Sequence, residues 1–148
     1  MPARPIVFYP DDRLRQVAAP VDTDVADLTR DMFDTMYEAK GRGLAAPQVG
    51  VSRRVFVMDC AWKEGLPDPR VFVNPTIVAA EGQQVNEEGC LSIPGVPRRL
   101  TRPRRVVLSF DGPGGRRDEA FEGFAAACIC HEVDHLDGVL ILDHPEAA

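Results

Sequence analysis

The chain has 148 residues, with 17 Lys+Arg set against 23 Asp+Glu, a formal net charge of −6. That length fits one domain, and an apolar fraction of 45% is enough for a core, which excludes wholesale disorder. No apolar run approaches the roughly 20 residues of a membrane helix, and the acidic balance argues against direct DNA binding. Ile6-Val7-Phe8-Tyr9 is too short for a signal-peptide core, so a cytoplasmic protein is expected.

Taken in chain order, residues 23–40 carry Val25, Leu28, Met32 and Met36 at helical spacing, with Thr23 as the expected cap and Gly41-Arg42-Gly43 as the break. Residues 54–59 hold the unbroken apolar run Val55-Phe56-Val57-Met58, a candidate buried strand. Residues 71–73, 76–80 and 106–110 also read as strands, the last ending in the turn Asp111-Gly112-Pro113-Gly114-Gly115. Arg98, Arg99, Arg102, Arg104 and Arg105 offer a local basic patch. Residues 123–136 read as a helix whose first half is apolar, so it should run through the core, and Gly138 is placed to end it. The expected fold class is α+β, one compact domain over residues 1–148 with antiparallel strands packed around the central buried helix.

That helix carries His131-Glu132-Val133-Asp134-His135. Residues i and i+4 share a helical face, so both imidazoles can reach one metal ion, and the intervening Glu can act on a metal-bound water. A lone histidine is more often a plain surface or core residue. Here two of only three histidines sit one turn apart around a Glu, which favours metal binding. A catalytic site wants a third protein ligand and an open position. Downstream, the extended H-E-x-x-H-x-x-G-x-x-H pattern fails, because Ile141 stands where the last His belongs. Upstream, Cys90 in Glu88-Gly89-Cys90-Leu91-Ser92 is the better candidate. Cys60 and Cys128 sit in apolar stretches and read as packing residues. Cys130 adjoins His131, and helical neighbours point about 100° apart, so the two do not easily share an ion.

Gly41-Arg42-Gly43-Leu44-Ala45-Ala46 nominally matches a dinucleotide fingerprint, but it follows a helix rather than a strand, so a phosphate role is set aside. Small residues here would let a substrate backbone approach, and Gln48 could supply an amide donor to a developing oxyanion.

Three segments together resemble the peptide deformylases: Gly41-Arg42-Gly43-Leu44-Ala45-Ala46-Pro47-Gln48, Glu88-Gly89-Cys90-Leu91-Ser92 and His131-Glu132-Val133-Asp134-His135-Leu136. They occur in the family's order, and the resemblance runs from about residue 5 to about residue 143. It implies an enzyme that removes the formyl group from the initiator methionine of nascent chains and releases formate. It further implies Cys90, His131 and His135 as ligands of one divalent ion, Fe²⁺ first, with Zn²⁺, Ni²⁺ or Co²⁺ able to occupy the site. By the same resemblance Glu132 is the general base and acid, and Gln48 with the Leu91 backbone N–H forms the oxyanion site. Gly43 and Gly89 would meet the substrate backbone, and Phe124 and Ala127 would line the methionine pocket. Glu88 and Asp134 are candidates to orient the ligands.

Three departures from the family pattern stand out. Cys130 occupies a position that is often Gln and adds a thiol near the metal. Arg42 stands where an apolar residue is usual, at the pocket edge. The chain stops soon after Asp143, where many members continue into a helix associated with ribosome docking. The expectation is therefore a short form or a truncated chain; separately, a monomer with transient ribosome association is expected. The competing readings are an H-E-x-x-H zinc peptidase and a non-catalytic metal-binding module.

Overall fold

The computed structural model describes residues 3–148. In chain order it contains helix α1 (Ala26–Glu38), strand β1 (Gly43–Ala45), a 3-10 turn (Ala46–Val49), then β2 (Val55–Met58), β3 (Arg70–Glu81) and β4 (Gln84–Cys90). These are followed by β5 (Ile93–Arg102), β6 (Arg105–Gly112), β7 (Gly115–Glu122) and helix α2 (Phe124–Leu136). Five strands form one antiparallel sheet in the order β1-β2-β3-β6-β7, while β4 and β5 pair only with each other.

The apolar run of β2 is buried at every position because both of its faces are covered. Phe56 and Met58 point into the core beneath α2, and Val55 and Val57 point under α1 with Met32 and Met36. That alternation is the two-residue period of a strand. Under α2 the sheet presents an aromatic cluster, with Phe72 5.0 Å from Phe56, 4.9 Å from Phe110 and 5.7 Å from Phe121 between ring centres. Fully burying a Phe stabilises by about 2 kcal/mol, so this cluster anchors the helix to the sheet.

Nine of the 13 residues of α2 are buried, as its apolar first half implies. One side lies on the sheet; the other meets the β4–β5 hairpin and the 3-10 turn. The helix ends in a Schellman motif: the Gly138 N–H donates to the His135 carbonyl (3.2 Å) and the Val139 N–H to the Asp134 carbonyl (2.8 Å). Gly138 takes φ +75°, the left-handed geometry this motif needs.

The structure revises several sequence expectations. Helix α1 starts three residues after Thr23, and its first N–H, that of Ala26, donates to Asp24 at 2.8 Å. Residues 71–73 and 76–80 belong to one long strand, interrupted by a bulge at Asn74-Pro75, where Asn74 has φ +49°. The five arginines do not form one patch. Arg102 is only 4% exposed and is paired inward, whereas Arg105 faces Glu81 and Glu122.

Candidate metal centre and its cavity

The H-E-x-x-H residues lie in the second half of α2, with His135 and Glu132 buried. Opposite them, the end of β4 turns back into β5 and delivers Cys90. Its Sγ is 3.3 Å from His135 Nε2, and His135 Nε2 is 3.2 Å from His131 Nε2. All three atoms lie within 4.8 Å of one another. Donors bound to one tetrahedral ion at about 2.0–2.3 Å are separated by about 3.3–3.7 Å, so this trio fits a borderline-soft divalent metal with one position left open. Cys130 is not in the trio. Its side chain belongs to the core cluster around Phe72, where burial pushes its pKa up to about 11. The thiol expected near the metal instead faces the core.

The ring nitrogens are set by their second partners. Burial raises the Glu88 carboxyl pKa, but hydrogen bonds from Arg102 and His131 outweigh it and hold the group at about 2. Ionised Glu88 therefore holds His131 Nδ1 at 3.0 Å, which fixes the ring with Nε2 facing the trio. Burial and the neighbouring His131 keep the His135 pKa well below its usual value, in the neutral form a ligand needs.

Glu88 is clamped in turn. Arg102 Nε and Nη2 donate to its two oxygens at 2.7 and 2.8 Å, and Arg102 Nη1 donates to Asp134 at 2.8 Å. Asp134 also accepts from His144 Nε2 at 2.7 Å. Glu88 thus orients a ligand directly, whereas Asp134 acts only through Arg102. The parts played by Arg102 and His144 carry no local sequence signal, since their partners are 10 to 32 residues away in the chain.

Glu132 sits beside the trio, 3% exposed, and its Oε1 has no hydrogen-bond partner among the described residues. Burial raises its pKa to about 7, against the opposing pull of the His131 charge. A carboxylate poised near neutrality is suited to accept and return a proton. Gln48 is fixed from the other side by the 3-10 turn. Its Oε1 accepts from the Ala45 N–H at 3.0 Å, which turns Nε2 toward Ser92 Oγ (3.1 Å) and Cys90 Sγ (3.7 Å). Ser92, unremarked in the sequence, is the residue that completes this orientation.

Gln48, Glu88, Cys90, His131 and Glu132 line a cavity of about 490 Å³ that also contains Arg42, Gly43, Gly89, Leu91, Phe124 and Ala127. Every residue assigned in the sequence to metal binding, catalysis or substrate contact except His135 therefore borders one space, and His135 meets it through its contacts with Cys90 and His131; Asp134 and Cys130 do not border it. Arg42 lies along the edge, bonded to Glu64 at 2.9 and 3.1 Å with its guanidinium 5.7 Å from the Phe124 ring centre. Gly43 is required by space: a Cβ there would lie 2.6 Å from Glu132 Oε2 and 3.0 Å from Cys128 Sγ.

Comparison with known proteins agrees with this geometry. The family model described as polypeptide deformylase matches residues 3–147. A peptide deformylase of Alkalilimnicola ehrlichii is 49% identical over 143 residues, covering 94% of this chain and 80% of that protein. The crystal structure of a peptide deformylase from Legionella pneumophila superposes with a TM-score of 0.90 at 42% identity, covering 97% of this chain and 86% of that one. A class I type b enzyme from Acinetobacter baumannii, with Met-Ala-Ser bound, gives 0.88 at 32% identity over 97% and 98% of the two chains.

Proposed function

The chain belongs to the polypeptide deformylase family, and from that premise we propose how its residues divide the removal of an N-formyl group from the initiator methionine of nascent peptides. The observation that carries the reading is the convergence of two imidazoles and one thiol beside a buried, unpartnered carboxylate on one cavity. Cys90, His131 and His135 hold one divalent ion; Fe²⁺ is our first assignment, and Zn²⁺, Ni²⁺ or Co²⁺ suit the same donors. When bound, such an ion acidifies water and polarises a carbonyl oxygen.

Glu132 takes the proton of the attacking water as the formyl carbon is attacked, and returns it to the departing amine. The oxyanion that develops is met by Gln48 Nε2 and the Leu91 backbone N–H, each such donor being worth roughly 3 kcal/mol. The products are formate and a free N-terminus. The peptide backbone runs between two strand edges that border the cavity, β1 at Gly43 and β4 at Gly89. The methionine side chain enters beside Phe124 and Ala127, with Arg42 at the rim. The Met-Ala-Ser held by the Acinetobacter baumannii relative supports a substrate with N-terminal methionine.

We read residues 1–148 as one catalytic domain, acting as a monomer in the cytoplasm with transient ribosome association and no DNA contact. No helix among the described residues is long and apolar enough to cross a membrane. The test is formate release from a formyl-Met tripeptide by the nickel-loaded protein. Glu132→Ala is expected to retain the metal and lose about 10²–10⁴-fold in kcat. Cys90→Ser is expected to lose most of the metal. Absence of formate release from folded, metal-loaded protein would overturn the assignment, and cleavage of internal peptide bonds instead would favour the peptidase reading.

A further inference from the structure

The third histidine of the chain, His144, belongs neither to the trio nor to the cavity lining. It stands beyond α2, where the chain passes back over the β4–β5 hairpin. Leu140 and Ile141 are buried there in one cluster with Cys90, Ile93 and Leu100. Asp143 fixes the turn that follows: its carboxylate accepts from the Leu140 N–H at 2.8 Å and pairs with Arg15. On the far side of His144, β5 takes hold of the chain again. Arg98 Nη2 donates to the His144 carbonyl at 2.7 Å, and the Ala147 N–H donates to the Arg99 carbonyl at 2.8 Å. The imidazole is thus held between anchors on both sides.

Its ring is the outer end of a continuous hydrogen-bonded chain. His144 Nε2 donates to Asp134 Oδ2 at 2.7 Å. Arg102 Nη1 donates to the same oxygen at 2.8 Å and lies 3.5 Å from the His144 nitrogen. Arg102 then grips both oxygens of Glu88, and Glu88 holds His131 Nδ1. We propose that His144 is a positioning residue for the metal centre, fixing His131 from outside the cavity through Asp134, Arg102 and Glu88. The proposal rests on the reading of Cys90, His131 and His135 as the ligands.

The case lies in which links are free to move. Among the described residues, the Asp134 carboxylate receives hydrogen bonds from Arg102 and His144 alone. Its side chain is 24% exposed, so without the His144 N–H it can turn toward water. Arg102, 4% exposed, has no such escape. Deprived of Asp134, its guanidinium shifts to find another acceptor and its grip on Glu88 changes. Every bond in the chain involves a charged group, and bonds in such a series strengthen one another, so a loss at the outer end reaches the His131 ring. A group bonded directly to a metal ligand is typically worth about 10–100-fold in metal affinity. His144 acts three links beyond Glu88, and its effect is correspondingly smaller.

The test follows transfer of nickel from the loaded protein to a coloured chelator, together with the visible absorption of the cobalt-loaded protein; neither requires turnover. His144→Ala is expected to release nickel about 3–10-fold faster than wild type and to shift the cobalt bands. Its KM for a formyl-Met tripeptide after reloading is expected to be unchanged, because the cavity lining is untouched. His144→Met, which fills the same space without a donor, is expected to behave like His144→Ala. His144→Gln, whose amide Nε2 can donate to Asp134, is expected to restore both the release rate and the bands. Wild-type release and bands in either donor-less variant overturn the proposal. So does His144→Gln releasing nickel as fast as His144→Ala, since the N–H would then be irrelevant. Wild-type protein that takes up neither nickel nor cobalt overturns instead the ligand reading on which the proposal rests.

Discussion

At the scale of single residues, the site is governed by how little room surrounds the Glu132 carboxylate. It has a free oxygen, a pKa lifted by burial to about 7, and a glycine as its nearest wall. Gly43→Ala puts a methyl 2.6 Å from that carboxylate, so the side chain must swing away. The expected result is a fall of about 10² in kcat/KM with metal content and melting temperature nearly unchanged. A wild-type rate in that variant would show that Glu132 has freedom the geometry denies it. Glycine at this position was legible in the sequence as a place for close approach, although the approaching group was expected to be substrate. The carboxylate behind it is a tertiary neighbour from α2, 89 positions further on, which no local pattern announces.

Among elements, α2 and the β4–β5 hairpin are joined by one buried cation. Arg102 spans Glu88 and Asp134, and breaking such a pair from one side typically costs about 3–5 kcal/mol because the remaining charge is stranded. Arg102→Met is expected to destabilise the protein by that order in urea unfolding at pH 7. The pH dependence has a definite sign. The folded Glu88 pKa lies below its ordinary value of 4.5, at about 2, so its contribution is present above about pH 4.5 and is lost as pH falls toward 2. Metal-free wild type should lose stability across that window, and Arg102→Met should show a flatter profile; parallel profiles would remove Glu88 from the account.

The end of α2 gives a second element-scale test. Gly138 has a left-handed φ, and a Cβ there would strike the Arg15 backbone carbonyl. Gly138→Ala is expected to cost roughly 1–3 kcal/mol in chemical denaturation, with the metal ligands one turn away loosened as a result. A variant as stable as wild type would mean that the chain after α2 relaxes freely.

For the molecule as a whole, the parts legible in the sequence are those whose pattern is set by their own burial. Helix α2 and strand β2 are covered on nearly all sides, so their apolar runs show through. The hairpin is different. Gln84-Val85-Asn86-Glu87-Glu88-Gly89-Cys90 presents polar side chains to solvent, to the cavity and to Arg102, so its strand character comes from pairing with β5 and leaves little apolar alternation. The convergence of Cys90, His131 and His135 was readable because two of them share one helix and the third sits in a distinctive segment. The Arg102–His144 bracing was not, because it joins groups from three separate stretches of chain.

The hairpin shares no backbone ladder with the five-stranded sheet, yet it carries one of the three candidate ligand atoms. An ion bound there is in effect a clasp across a loop of 41 residues, from Cys90 to His131, closing two pieces of chain that otherwise meet through side chains alone. Stripping it with a chelator should leave the amides of β2, β3 and β6 as slow to exchange with deuterium as before. Those of β4 and β5 should exchange faster, by about 10²-fold where opening of the clasp is what limits them. Equal protection with and without metal would mean that the side chains alone hold the hairpin shut. Otherwise the amide protons of one small ribbon become a readout of whether the enzyme is loaded.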